Sequence, residues 1–179
     1  LAKITGCTML LENDANLAGL SEAKLLERSF QKVLYVTVST GIGGGLIVDG
    51  IIEQNLADME IGHMLFERQG KLERWEHFAS GKAIVAKYGK PASELDDPDI
   101  WYIVSRDIAL GLFNITTALT PEAVVIGGGV GTHFAKYGDQ LADHLKEFSN
   151  HLVTIPELRG AQRAEEAVLF GCYEVARQS

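Results

Sequence analysis

Val36-Thr37-Val38-Ser39-Thr40-Gly41-Ile42-Gly43-Gly44-Gly45 joins an apolar, β-branched run to a concentration of glycine, and its reading decides the fold. Val33 to Val38 has the composition of a buried strand. The glycines after it free backbone N–H groups to wrap phosphate oxygens, and Thr40 adds a hydroxyl donor. No Gly-Lys-Ser/Thr follows, so this is not a Walker loop. A tight turn is the competing reading, but four glycines within Gly41–Gly45 exceed what one turn needs. Leu46-Ile47-Val48, Asp49-Gly50 and Ile51-Ile52 then form a hairpin, because Asp-Gly supplies the positive φ angles of a type I′ turn.

Upstream, Thr8 to Leu11 is a strand candidate running into Glu12-Asn13-Asp14, with a helix expected through Leu17, Leu20 and Leu25 to Arg28. Downstream, residues 53–73 are polar and without period, and a helix is expected over Trp75–Tyr88. Asp97-Pro98 starts a longer helix, with Asp as cap and Pro in the first turn. Its stripe is Ile100, Val104, Ile108, Leu112, Ile115 and Leu119, and Pro121 stops it. Ala123 to Ile126 is a short buried strand. Gly127-Gly128-Gly129 turns the chain into a helix carrying Phe134, Tyr137, Leu141, Leu145 and Phe148. Leu152–Ile155 is a last strand candidate, and Val168, Cys172 and Val175 mark a closing helix. This order predicts one α/β domain over residues 1–179, a mixed sheet with flanking helices.

Four places carry residue types suited to chemistry. Asp14, where a strand meets a helix, is placed to take a proton from an attacking hydroxyl, and Asn13 to hydrogen-bond a polyol; taken alone, the residues favour helix capping. Glu60 and His63 flank Ile61-Gly62 and, with Glu76, offer carboxylate and imidazole groups to adjacent hydroxyls; taken alone, a solvated loop with an incidental His is favoured, and Glu76 reads equally as an exposed helix glutamate. Thr40 and Gly41 are the candidates for phosphate. Gly127 and Gly128 suit close approach of an adenine or ribose, although a plain strand-to-helix connection needs them too.

The totals narrow the partners. The 179 residues carry a formal net charge of -8, which argues against a nucleic-acid surface. The apolar share of 46% is ordinary for a globular domain, and no apolar run approaches a membrane span. Cys7 and Cys172 form neither a disulfide framework nor a zinc quartet, and read as buried thiols of a reducing compartment. No signal peptide pattern is present, so a cytoplasmic location is expected.

Taken in order, the segments Glu12–Ala18, Val36–Gly45, Glu60-Ile61-Gly62-His63, Glu76–Gly81 and Pro121–Gly129 resemble the ROK family of repressors and sugar kinases, from about Leu10 to the end. The resemblance implies an actin-like ATPase fold of ribonuclease H type and an ATP-dependent hexose kinase, with glucose as the expected substrate. It implies Asp14 as general base, and Asn13, Glu60, His63 and Glu76 as sugar contacts. Thr40 and Gly41 would contact ATP phosphates, and Gly127 and Gly128 the adenosine, with Mg2+ accompanying the nucleotide. It also implies a homodimer. The sugar-sensing domain of a ROK repressor is the alternative. The family's zinc-binding Cys-x-Cys stretch corresponds here to Glu67–Arg74, which holds no cysteine, so no structural zinc is expected. Met59 stands where the family usually has Gly, and the loop before Glu60 is short. The family's N-terminal Asp-x-Gly-Gly-Thr loop does not occur, so these residues alone are expected to be inactive.

Overall fold

A computed structural model describes the chain except residues 1–3, 5, 7, 8, 150–152, 164, 165 and 179 and the side chain of Gln178. Helix α1 (Asp14–Ala23) precedes three strands, β1 (Lys32–Val38), β2 (Ile42–Val48) and β3 (Ile51–Ile52). A second hairpin follows, β4 (Leu65–Arg68) and β5 (Lys71–Arg74), and runs directly into α2 (Trp75–Ala79) and α3 (Gly81–Tyr88). Then come α4 (Pro98–Leu119), β6 (Ala123–Gly127), α5 (Gly128–Gly131), α6 (Gly138–Phe148), β7 (Glu157–Gly160) and α7 (Ala167–Gln178).

The main sheet has the order β3-β2-β1-β6-β7. The β1/β2 and β2/β3 pairs are antiparallel, and β1/β6 and β6/β7 are parallel, which is the expected mixed sheet. Strand periodicity splits β1 between two cores. Leu34, Val36 and Val38 face α4 and α6, where Ile108, Leu112, Leu141 and Leu145 are buried. Val33 and Tyr35 face the opposite layer with Leu20 of α1 and Ala167 of α7. The apolar stripe of α4 supplies the larger core. Asp97 caps this helix by accepting the Asp99 amide at 2.9 Å, and Thr120 ends it in the left-handed region at φ 48°.

Several sequence expectations need correction. Gly43, Gly44 and Gly45 are not in a loop but inside β2, and only Ser39–Gly41 turns. Residues 65–74 are not irregular; Gln69-Gly70, with φ 52° and 76°, closes the β4/β5 hairpin. The expected Trp75–Tyr88 helix breaks at Ser80, which adopts extended backbone and caps α3 through its hydroxyl. Helix α1 stops at Ala23, short of Leu25 and Arg28. Phe134 and Tyr137 precede α6 instead of lying on it, because the Phe134 ring packs where a Cβ on Gly138 would stand and Tyr137 stacks flat on Trp101 at 5.2 Å.

Strand β7 lies at Glu157–Gly160, where its backbone meets β6; Val153–Ile155 is not strand, and Leu152 lies outside the described residues. Met9, Leu10 and Leu11 form no strand either. They pair with no neighbouring strand, and Leu11 is fully exposed; Thr8 lies outside the described residues. Cys172 is exposed, not buried, because α7 packs on α1 through the neighbouring Gly171, where a Cβ would strike Leu17; Cys7 lies outside the described residues.

Candidate active site

The glycines of β2 explain the site's geometry. Alternate residues of a strand face opposite sides. On one face, a Cβ on Gly45 would fall 2.7 Å from the Ala15 carbonyl, and one on Gly43 3.6 Å from the Ala15 side chain, so the first turn of α1 lies directly on the strand. On the other face, a Cβ on Gly44 would strike Ile61, and the Ile42 carbonyl leaves no room for a side chain at Gly62. The strand thereby draws the Asp14 turn and the Ile61–His63 turn against it from its two sides. Glycine here serves close approach of protein to protein, and the phosphate reading narrows to Ser39–Gly41.

Asn13 is the cap of α1: its Oδ1 accepts the Ala15 amide at 2.8 Å. Asp14, the first residue of the helix, is exposed and takes no part in that cap. It lines a small cleft of about 110 Å³ with Tyr35, Thr37 and Gly128. Burial, with Glu22 nearby, raises the Tyr35 hydroxyl to about 12, so it stays protonated beside the cleft. The segment before Glu60 is tied to the same turn. The buried Asn16 donates to the Ala57 carbonyl at 3.0 Å and to Glu12 at 2.7 Å. Burial works against the Glu12 charge, but bonds from Asn16, the Asn13 amide and Gln54 outweigh it and lower its pKa.

His63 and Glu76 meet: Nε2 and Oε1 are 3.5 Å apart. A Cβ on Gly41 would stand 2.8 Å from the other Glu76 oxygen, so Glu76 also borders the Ser39–Gly41 turn. Glu60 is exposed at the start of the turn that ends in His63, and the His63 amide donates to its carbonyl at 3.0 Å. Glu76, His63, Gly41 and Thr40 therefore form one wall. Among the described residues, no hydrogen bond or ion pair joins this wall to Asp14; β2 packs against the turns that carry both.

Thr40 and Gly128 line a single cavity of about 800 Å³. Val85, Pro91, Ala92 and Val130 give it apolar sides, with Ser39, Ser93 and Gly129 among its polar rim. Gly128 has φ 77°, and a side chain there would collide with Thr37 Oγ1 and the Val38 carbonyl, each 2.6 Å away. Gly127 has no room because the Tyr35 hydroxyl lies beneath it. Gly128 is shared with the Asp14 cleft, and Thr40 and Lys82 with a third pocket that includes Glu76. The sequence reading missed Lys82 and His133, which also line the cavity. Neither sits in a glycine or acidic motif; only the break before α3 marks the first. Burial, with Lys136 nearby, lowers the His133 pKa, so its imidazole is neutral at pH 7.

The cavity sets apolar side chains beside the Ser39, Thr40 and Ser93 hydroxyls and the Gly128-Gly129 backbone, a lining suited to a ligand with an apolar part and a hydrogen-bonding part. Among the described residues no three His, Cys, Asp or Glu side chains are grouped to hold a metal ion.

The whole chain, residues 1–179, matches the ROK family, and the protein belongs to it. A fructokinase of Zymomonas mobilis is 32% identical over 142 residues, covering 70% of this chain and 46% of the relative. The chain thus spans less than half the length of that relative. Among solved structures, the ROK hexokinase from Thermus thermophilus is 30% identical with a TM-score of 0.79, covering 100% of this chain and 70% of that one. A ROK glucokinase from Streptomyces griseus, solved with glucose and AMPPNP, has a TM-score of 0.79 at 21% identity, covering 99% and 71%. A ROK transcriptional regulator, a homologue of the E. coli MLC protein, has a TM-score of 0.78 at 18% identity, covering 98% and 53%. The fold is the actin-like ATPase fold.

Proposed function

We propose that this chain forms the sugar- and nucleotide-contacting part of an ATP-dependent hexose kinase, with glucose as the first hexose to test. The observation that carries this is that three spaces adjoin and share lining residues: Gly128 borders both the Asp14 cleft and the 800 Å³ cavity, and Thr40 borders both that cavity and the pocket with Glu76. Phosphoryl transfer needs an acceptor hydroxyl, a base and a phosphate donor held in line, with little covalent chemistry by the protein. Asp14 takes the proton of the attacking sugar hydroxyl. Asn13, Glu60, His63 and Glu76 hold the remaining hydroxyls. Thr40 and the Gly41 backbone hold the donor phosphates, and the Gly127-Gly128 turn holds the nucleoside. Bound ATP with Mg2+ supplies the activated phosphoryl group and neutralises part of its charge. The fructokinase and glucokinase names among the relatives support a hexose acceptor.

A sugar-responsive regulator is the second reading, favoured by the shared fold of the regulator structure. The test is to supply the full-length protein with ATP-Mg2+ and a panel of glucose, fructose and N-acetylmannosamine, measuring ADP release and sugar phosphate together. Turnover with one or more hexoses is expected. Saturable sugar binding with no turnover of any hexose would instead establish the regulator.

A further inference from the structure

Asp107 lies in the middle of α4 and is 8% exposed, an acidic side chain in the main core's outer layer with no part in the chemistry above. Three separate segments converge on it. Its Oδ1 is 2.9 Å from Arg68 Nη1 at the end of β4, and its Oδ2 is 3.7 Å from Lys87 Nζ on α3. Its backbone carbonyl accepts the Trp75 indole N–H at 3.2 Å from the start of α2. The Arg68 guanidinium lies 4.0 Å over the Phe78 ring, and Phe78 meets Phe66 edge-on at 5.5 Å.

These contacts enclose the elements that carry the sugar-side wall. Glu76 lies between Trp75 and Phe78 on a five-residue helix, too short to be rigid by itself. His63 immediately precedes Met64, whose carbonyl accepts the Trp75 amide at 2.9 Å. Gly111 of α4 seats the Trp75 ring, since a Cβ there would stand 2.1 Å from it. A buried carboxylate is a poor device for stability, because desolvation offsets its attraction to the paired cations. Burial in fact raises the Asp107 pKa against the pull of Arg68 and Lys87. What such a pair does well is fix geometry: the planar guanidinium is held by the carboxylate on one side and the ring on the other.

We propose that Asp107, acting through Arg68, is a positioning residue that sets the spacing of the Glu76–His63 pair and thereby the affinity for the acceptor sugar. This rests on the reading that Glu76 and His63 contact the sugar. Neither Asp107 nor Arg68 lines the nucleotide cavity; Asp107 reaches α3, which borders that cavity, only through the longer 3.7 Å pair with Lys87, so the effect falls mainly on the sugar.

The test uses the full-length protein and three variants: Arg68→Met, Asp107→Asn, and the double change Arg68→Met with Asp107→Leu, which removes both charges and restores apolar packing. Sugar KM, ATP KM, kcat and melting temperature are measured for each. Sugar KM should rise roughly 10- to 100-fold, the scale of a small misplacement of binding groups, with ATP KM within twofold of wild type. The double variant should recover melting temperature without recovering sugar KM. If sugar KM recovers together with melting temperature, or if both substrates weaken in parallel with stability, the pair is structural and the proposal is wrong. Unchanged sugar KM in Arg68→Met and in the folded double variant is equally fatal to it. A wild-type protein that phosphorylates no hexose would instead remove the underlying functional reading.

Discussion

Gly128 and Gly129 are adjacent, and substitutions at the two should fail in opposite ways. At Gly128 the backbone has φ 77°, and a Cβ would lie 2.6 Å from both Thr37 Oγ1 and the Val38 carbonyl. The left-handed backbone costs an L-residue about 1–2 kcal/mol, and overpacking adds about 1–3 kcal/mol. Gly128→Ala should therefore lose about 2–5 kcal/mol, a fall of roughly 4–20 °C in Tm for a chain of this size. At Gly129 nothing lies within 4 Å of a Cβ, and the residue lines the 800 Å³ cavity. Gly129→Ala should be neutral or stabilising by up to about 1 kcal/mol. Gly129→Leu should keep the wild-type Tm while its side chain occupies space needed by the nucleoside. Its affinity for a non-hydrolysable ATP analogue should fall at least tenfold, about 1.4 kcal/mol. Thermal melts with and without the analogue read both effects in one experiment. A Gly129→Leu protein that binds the analogue as wild type does would refute the placement of the nucleotide, and a Gly128→Ala protein with unchanged Tm would refute the backbone geometry.

Other outcomes follow from the same geometry. Lys82 lines both the cavity and the pocket that holds Glu76, so Lys82→Met should weaken ATP binding about tenfold while leaving adenosine binding unchanged, as calorimetry with both ligands would reveal. Asn13→Ala removes the α1 cap and should cost about 1 kcal/mol of stability by denaturant titration. Metal analysis after dialysis should find no stoichiometric zinc; one zinc per chain would contradict the reading of the β4/β5 hairpin. The 179 residues alone should release no ADP from ATP and glucose in a coupled assay, since the Asp-x-Gly-Gly-Thr loop is not among them.

Where local chemistry and tertiary structure agreed, the sequence was readable. The β1 strand, the Asp49-Gly50 turn and the long stripe of α4 each carry their own signal: alternation, positive φ, and three-four spacing with a capping Asp. The β4/β5 hairpin was illegible because its apolar residues do not alternate cleanly; Leu65 and Leu72 are exposed while Phe66 packs on Phe78. The glycine run looked like a loop because its cause is tertiary. Gly43, Gly44 and Gly45 answer to Ala15 and Ile61, which are distant in sequence. The strand expected at Thr8–Leu11 has the right composition, but strands are made by neighbours, and among the described residues Met9 to Leu11 pair with no strand. At the site, the motif residues were legible singly, and their grouping was not. The His63–Glu76 pair depends on the Trp75 anchor to α4, and Lys82 on a helix break at Ser80 that only the Ser39 carbonyl, receiving the Gly81 amide at 2.6 Å, makes plain.

The assignment of Asp14 as base bears the most weight, and substituting it by Asn in the full-length protein tests it. Asn13, not Asp14, caps the helix, so the substitution should cost no more than the helix-dipole contribution of one exposed carboxylate, about 0.3–1 kcal/mol. Loss of a general base should lower kcat by about 10²–10⁴, or about 2.7–5.4 kcal/mol of transition-state stabilisation. With kcat, sugar KM and Tm measured together, the account predicts a collapse of kcat with KM and Tm nearly unchanged. A variant that retains wild-type kcat would contradict it and leave Asp14 a surface residue at a helix end.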